Sequence, residues 1–172
     1  MKHFVSKEAF NIDGFGKKIV ENFWELKLIK FPQDIFKLDY EKIEKLEGWG
    51  KLSVQNLKYS INQKKNISLE RFIYSLGIRH IGLENAKLLS KHYISFSKFK
   101  NLSKQNDYEE MLNIDGIGET QVNSIKSFFS KDANLKVLNE SNLKVLSELE
   151  KVLVVKKAIQ NSDDGLLKNK TF

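Results

Sequence analysis

Cysteine is missing from all 172 residues. Its absence excludes disulfides, thiolate nucleophiles, iron–sulfur clusters and cysteine-ligated zinc. The three histidines, His3, His80 and His92, are scattered, and no two stand at ligand spacing, so no metal held by side chains is expected. Apolar runs are short: none approaches the ~18 residues of a membrane span. No apolar run preceded by basic residues opens the chain, so no signal peptide is read. Membrane contact is therefore not expected, and the cytoplasm is the expected location. Acidic residues are outnumbered, which leaves a net charge of +7 and a pI of about 9.4. That balance suits a polyanionic partner such as nucleic acid. Twelve Phe supply the material for a core, enough for one domain or two small ones.

Proline is almost absent too, with Pro32 the single case. Strand signals are weak, because β-branched residues are scattered rather than alternating. Apolar residues recur instead with a helical period. Ile19, Val20, Phe23, Trp24 and Leu28 fall on one face, as do Val54, Leu57 and Ile61, and again Val122, Ile125, Phe128 and Phe129. This predicts an all-α fold of short helices. Residues 131–146 continue the helical pattern through Leu135, Leu138 and Leu143, and from about 147 the period degrades. A turn signal follows at Asn161-Ser162-Asp163-Asp164-Gly165. The tail beyond 147 is expected to be loose.

The glycines repeat. Ile12-Asp13-Gly14-Phe15-Gly16, Leu46-Glu47-Gly48-Trp49-Gly50, Ile78-Arg79-His80-Ile81-Gly82 and Ile114-Asp115-Gly116-Ile117-Gly118 share one frame: apolar, variable, Gly, apolar, Gly. The third copy has His80 at the first glycine position. The last glycines stand 34, 32 and 36 residues apart (16 to 50, 50 to 82, 82 to 118). The later copies lie between helical patterns: Asp39–Lys45 and Lys51–Gln63, Ser68–Ser75 and Leu83–Tyr93, Asp107–Asn113 and Glu119–Ser130. The first has only Ser6–Asn11 in front and Lys17–Leu28 behind. Ser6 and Ser68 are candidate helix caps. The unit is helix, glycine turn, helix, repeated four times in tandem. The four are expected as two pairs, about 1–64 and 66–146, with Lys64-Lys65 an exposed linker at the break.

A glycine turn that feeds a helix N-terminus suits phosphate. Glycine has no Cβ, so a ligand can approach the backbone closely. The helix end offers unpaired N–H groups and a partial positive charge. The candidate DNA-binding residues are Gly14, Gly16, Lys17 and Lys18 in the first copy, Gly48, Gly50 and Lys51 in the second, Arg79, His80 and Gly82 in the third, and Gly116 and Gly118 in the fourth. Such contacts go to phosphate and sugar and carry no sequence information. Against this, Asp13, Glu47 and Asp115 place an acid inside three turns, where it either caps the helix or faces solvent. Trp24 and Trp49 could stack on bases, but their spacing favours the core. His80 could touch a phosphate or merely tolerate the turn's backbone.

Two longer segments carry a family resemblance. Lys2-His3-Phe4-Val5-Ser6-Lys7-Glu8-Ala9-Phe10-Asn11-Ile12-Asp13-Gly14-Phe15-Gly16 resembles the start of the helix-hairpin-helix domain of bacterial NAD-dependent DNA ligases. Arg71-Phe72-Ile73-Tyr74-Ser75-Leu76-Gly77-Ile78-Arg79-His80-Ile81-Gly82 resembles it more specifically still. The likeness runs from Lys2 to about Leu146. It implies a domain that follows an adenylating domain, an oligonucleotide-binding fold and a four-cysteine zinc module, and that precedes a BRCT domain. Lys168-Asn169-Lys170-Thr171-Phe172 is similar to the opening of that last domain, so 147–172 is read as a linker and its truncated start, and the chain as a fragment. The resemblance implies a minor-groove grip on both sides of a nick in duplex DNA, with the remaining ligase domains as partners. NAD would be bound by those other domains, so no cofactor is expected in this chain. One departure stands in the second copy: Leu52 occupies a position where the family often has Lys.

No catalytic residue is expected. The ligase nucleophile is the lysine of Lys-x-Asp-Gly, and this chain offers only Asn11-Ile12-Asp13-Gly14 and Asn113-Ile114-Asp115-Gly116. Asparagine cannot form the phosphoramide. Base-excision lyases place a lysine two residues after the hairpin's last glycine and an aspartate further on. Thr120 fills that place after Gly118. Lys18 fills it after Gly16, with Asp34 the next aspartate. A scaffold whose hairpins bind protein is the third reading.

Overall fold

The computed structural model describes residues 1–105, 107–130 and 136–159. Eight α-helices and one two-stranded pair are described: α1 Lys17–Glu25, α2 Tyr40–Glu44, α3 Lys51–Gln63, β1 Asn66–Ser68, α4 Leu69–Ser75, α5 Leu83–Tyr93, α6 Phe96–Gln105, α7 Glu119–Phe129, α8 Lys136–Val152 and β2 Val154–Lys156. Two 3-10 helices, Pro32–Lys37 and Glu109–Asn113, complete the set. The all-α reading thus holds, with one short parallel pair added. The starts and ends of α3 and α5 coincide with those read from the periodicity.

Burial follows that periodicity. Val20 and Phe23 of α1, Val54, Leu57 and Ile61 of α3, and Val122, Ile125 and Phe129 of α7 enter one continuous core. Its aromatic members touch in tilted and edge-to-face pairs, among them Phe15 with Phe23 and Phe99 with Phe129. α4 lies at the centre, with Leu69, Phe72 and Ile73 fully buried and its long side against α5. Arg71 fastens this helix to the first hairpin. Its guanidinium donates to the Ala9 carbonyl at 2.9 Å and to the Lys7 carbonyl at 2.5 Å. The sequence marked Arg71 only as part of a resemblance; the structure gives it a bracing role.

Several expectations are corrected. Trp24 is 52% exposed, so it is not a core residue, while Trp49 is half-buried with its ring 5.5 Å from that of Phe23. Ser68 stands at the N-cap of α4 as expected but gives no side-chain capping hydrogen bond, and Ser6 caps no helix; each hydroxyl is buried without a hydrogen-bond partner among the described residues. The chain around Ser6 forms hydrogen-bonded turns rather than a helix, with Ser6 O accepting from both Ala9 N and Asn11 N. Lys64-Lys65 is half-buried rather than an exposed linker, because the Lys65 carbonyl accepts from Val154 N at 2.8 Å. The period does not end near 147. α8 runs through to Val152, and β2 then pairs in parallel with β1 at the supposed break between the two halves. The expected 146/147 boundary therefore falls inside a helix. Residues 131–135, the turn at 161–165 and the stretch 168–172 lie outside the described residues.

Two elements were not foreseen. α6 carries Phe96, Phe99 and Leu102 at three-residue spacing, a legible but short signal. It begins after Ile94, whose φ of +66° turns the chain sharply at the end of α5. The 3-10 helix Pro32–Lys37 starts where the Asp34 carboxylate accepts from Lys30 N at 2.8 Å and Phe31 N at 2.7 Å. It packs on α8, and Lys37 joins Glu148 at 2.7 Å, as does Lys151.

Two outcomes follow for stability. Arg71→Met leaves two carbonyls unpaired, and urea denaturation is expected to show a loss of about 1–3 kcal/mol. The Glu148 carboxyl is held down to about 2, first by its hydrogen bond from Lys151 and then by that from Lys37. A depressed carboxyl contributes stability fully above the ordinary carboxylate range and loses it as pH falls through the folded value. The stability difference between wild type and Glu148→Gln is therefore expected to be constant at neutral pH, to shrink as pH falls below about 4.5 and to be lost only below about pH 2. A difference undiminished between neutral pH and pH 2 contradicts this role.

Candidate nucleic-acid interface

Each of the four glycine frames folds into the same turn. The fourth residue donates its N–H to the carbonyl of the first: Phe15 to Ile12, Trp49 to Leu46 and Ile81 to Ile78 at 3.1 Å, and Ile117 to Ile114 at 3.0 Å. The third residue has positive φ: +72° at Gly14, +82° at Gly48, +62° at His80 and +94° at Gly116. The second residues, Asp13, Glu47, Arg79 and Asp115, are absent from the positive-φ set. That combination defines a type II β-turn, whose third position favours glycine. His80 adopts it at a cost, as histidine does more readily than most residues. The apolar residues at the first and fourth positions, such as Ile12 and Phe15, are buried and anchor the turn.

The last glycine of each frame then starts a helix. The carbonyls of Gly16, Gly50, Gly82 and Gly118 accept from Val20, Val54, Ala86 and Val122 at 2.9–3.1 Å. These four glycines have extended backbone that any residue could adopt. At Gly16, Gly50 and Gly82 a Cβ would meet nothing within 4 Å. The protein's own packing therefore does not require glycine at these three places. Their bare backbone faces outward, beside the free N–H groups of the first helical turn. At Gly50 and Gly118 the glycine's own N–H is satisfied by Ser53 Oγ at 2.9 Å and Gln121 Oε1 at 3.0 Å.

All twelve sequence-derived site residues are exposed: Gly14, Gly16, Lys17, Lys18, Gly48, Gly50, Lys51, Arg79, His80, Gly82, Gly116 and Gly118. Among the described residues, Lys17, Lys18, Lys51 and Arg79 form no ion pair, whereas Lys2, Lys37, Lys42, Lys87, Lys100 and Lys151 all do. Each of the first three hairpins thus carries at least one exposed cation without an ion-pair partner among the described residues. Asp13, Glu47 and Asp115 make no capping hydrogen bond and face solvent. Asp34, the aspartate that a lyase reading would require, is occupied by the two backbone N–H groups of its own turn.

The turns come together in pairs. Asp13 and Gly14 of the first turn and Gly48 and Trp49 of the second line one cleft with Ser53, Asn56 and Ser60 of α3. Arg79 and His80 of the third turn line a second cleft with Thr120, Asn123, Ser124 and Ser127 of α7. In both clefts the first turn of the pair faces the second helix of its partner. The fourth turn rests on α5, where a Cβ on Gly116 would come within 2.8 Å of Leu88 Cδ1. Sequence reasoning found the turns but missed the α7 stripe; its signal is a run of Thr, Asn and Ser at positions 120, 123, 124 and 127, opposite the apolar face.

The comparisons agree with this geometry. The model of the helix-hairpin-helix motif matches residues 71–138, which hold the third and fourth turns. The DNA ligase of Pelagibacter ubique (strain HTCC1062) is 67% identical over the whole chain. Those of Wolbachia pipientis wMel and Rhodopseudomonas palustris (strain TIE-1) are 42% and 38% identical over 99% and 92% of it. The chain spans about a quarter of the length of these relatives (24%, 25% and 24%).

The two kinds of glycine separate experimentally. Gly116→Ala forces a side chain into a positive φ and against Leu88, and is expected to cost about 1–3 kcal/mol in thermal or urea unfolding. Gly82→Ser, at an extended helix cap with open space, is expected to change stability by less than about 0.5 kcal/mol. Equal losses at both positions contradict the turn geometry.

Proposed function

We propose, on the premise that this chain is a relative of the helix-hairpin-helix segment of bacterial DNA ligases, that it grips duplex DNA by its backbone phosphates along the minor groove. It does so without reading sequence, as the holding part of an NAD-dependent enzyme that seals nicks in replication and repair. The observation that carries this is the fourfold turn: a bare glycine at each helix start, with unpaired cations at the first three copies. Phosphate oxygens suit such sites because the N–H groups already point outward and the helix end favours negative charge. Two pairs of turns can follow the backbone on either side of a nick.

The chemistry of sealing belongs elsewhere. The chain has no Lys-x-Asp-Gly, so adenylation and NAD binding fall to the other three quarters of the ligase. Its partners in this reading are the nicked duplex and those remaining ligase domains. The first two turns and the last two turns act as the two pairs of the grip. No helix of the described residues is long and apolar enough to cross a membrane. The cytoplasm is the location that a DNA partner implies in this reading.

Fluorescence anisotropy over a salt series tests the reading, with nicked and intact duplexes of several sequences. Binding is expected to be indifferent to sequence, with log K falling linearly in log salt by about 0.9 per neutralised phosphate. Gly50→Val with Gly82→Val is expected to abolish it while leaving the helical circular dichroism intact. Wild-type chain that ignores DNA at low salt, or a variant that binds as wild type does, contradicts the proposal.

A further inference from the structure

The four helix starts are alike in backbone and unlike in charge. The two residues after the last glycine are Lys17-Lys18, Lys51-Leu52, Leu83-Glu84 and Glu119-Thr120. The first pair of hairpins therefore presents cations where a phosphate would sit, and the second pair presents an acid in each first turn. An acid there opposes an anion and weakens the electrostatic grip of the helix end. Glu84 is partly neutralised by Lys87 at 2.9 Å; Glu119 has no ion-pair partner among the described residues.

What the second pair has in exchange is the cleft between its first turn and α7. Its lining is Arg79, His80, Thr120, Asn123, Ser124 and Ser127. All six can donate hydrogen bonds, and none bears a carboxylate. Among the described residues no side chain of the six has a hydrogen-bond partner. The contrast with other helical serines is informative. Ser75, Ser90 and Ser103 each return their hydroxyl to the carbonyl three residues back, at 2.7–2.8 Å. Ser124 and Ser127 do not. The cleft of the first pair differs again, since it contains the Asp13 carboxylate and the apolar Trp49 and Leu57.

We propose that the two pairs divide the work. The first pair holds phosphates through Lys17, Lys18 and Lys51, and the second pair enters the minor groove with Arg79 and the neutral donors of α7. This rests on the DNA-gripping reading above and assigns its parts. The floor and walls of the minor groove suit the cleft: purine N3, pyrimidine O2 and the sugar ring oxygen are acceptors at every pair, and G·C pairs add only the guanine amino donor. The groove's negative potential draws an arginine inward. Neutral donors add contact energy there without displacing counterions.

The test separates the two contributions by their salt dependence, with the full 172-residue chain and a nicked duplex. Lys17→Ala, Lys18→Ala, Lys51→Ala together are expected to lower the slope of log K against log salt by roughly 2 to 3. Asn123→Ala with Ser124→Ala is expected to weaken binding roughly tenfold at every salt concentration with the slope unchanged. Both variants alter exposed or half-exposed side chains and should melt with wild type. An α7 variant that binds as wild type does, or one that lowers the slope as the lysine variant does, overturns the division while leaving the gripping function in place. A wild-type chain that does not bind the duplex overturns both.

Discussion

Positive φ at one residue per hairpin is the constraint on which the rest of this molecule depends. It reverses the chain within four residues and lets the next helix start with its first N–H groups facing outward. The buried residues on either side of it, Ile12 and Phe15 in the first copy and Ile78 and Ile81 in the third, tie that reversal to the core. Because the same geometry recurs at Gly14, Gly48, His80 and Gly116, one local solution generates four outward helix ends. The core then only has to hold them. α4, braced by Arg71 against the first hairpin, and the β1–β2 pair, which draws the end of α8 to the junction of the halves, do so.

Charge distribution adds meaning to that frame. A net charge of +7 says little by itself, since lysines solvate helices in many proteins. The placement of cations at the turns adds more. Some lysines away from the turns are matched with carboxylates, such as Lys37 and Lys151 with Glu148 and Lys100 with Glu150, and others, such as Lys45 and Lys58, have no carboxylate partner among the described residues. Lys17, Lys18, Lys51 and Arg79 are left to solvent. The sign of the helix starts changes between the first and second pair, so identical backbone geometry serves two different local chemistries.

Much of this was legible in the sequence, because both turn and helix are local. A three-residue glycine frame specifies a type II turn, and a 3.6-residue period specifies the face that is buried, which is why α3 and α5 came out with the right ends. Long-range features were not legible. The β1–β2 pair joins Asn66–Ser68 to Val154–Lys156, strands too short to alternate visibly. Arg71 is an ordinary arginine until Ala9 and Lys7 are seen beside it. Trp24 sits at a core-like spacing, yet α1 is short and none of the described residues covers that side of it, so the ring is exposed. The α7 stripe has its meaning only once the third turn is placed opposite.

The central claim is that backbone N–H groups at four repeated helix starts are what meets DNA, and amide chemical shifts report on those groups directly. Proton–nitrogen spectra of the chain titrated with a short nicked duplex are predicted to show the largest downfield shifts at residues 16–19, 50–53, 82–85 and 118–121. The apolar groove of Met1, Val20 and Trp24 is predicted to stay unmoved. Shifts gathered in that groove or along α6, with the four helix starts unchanged, would contradict the account.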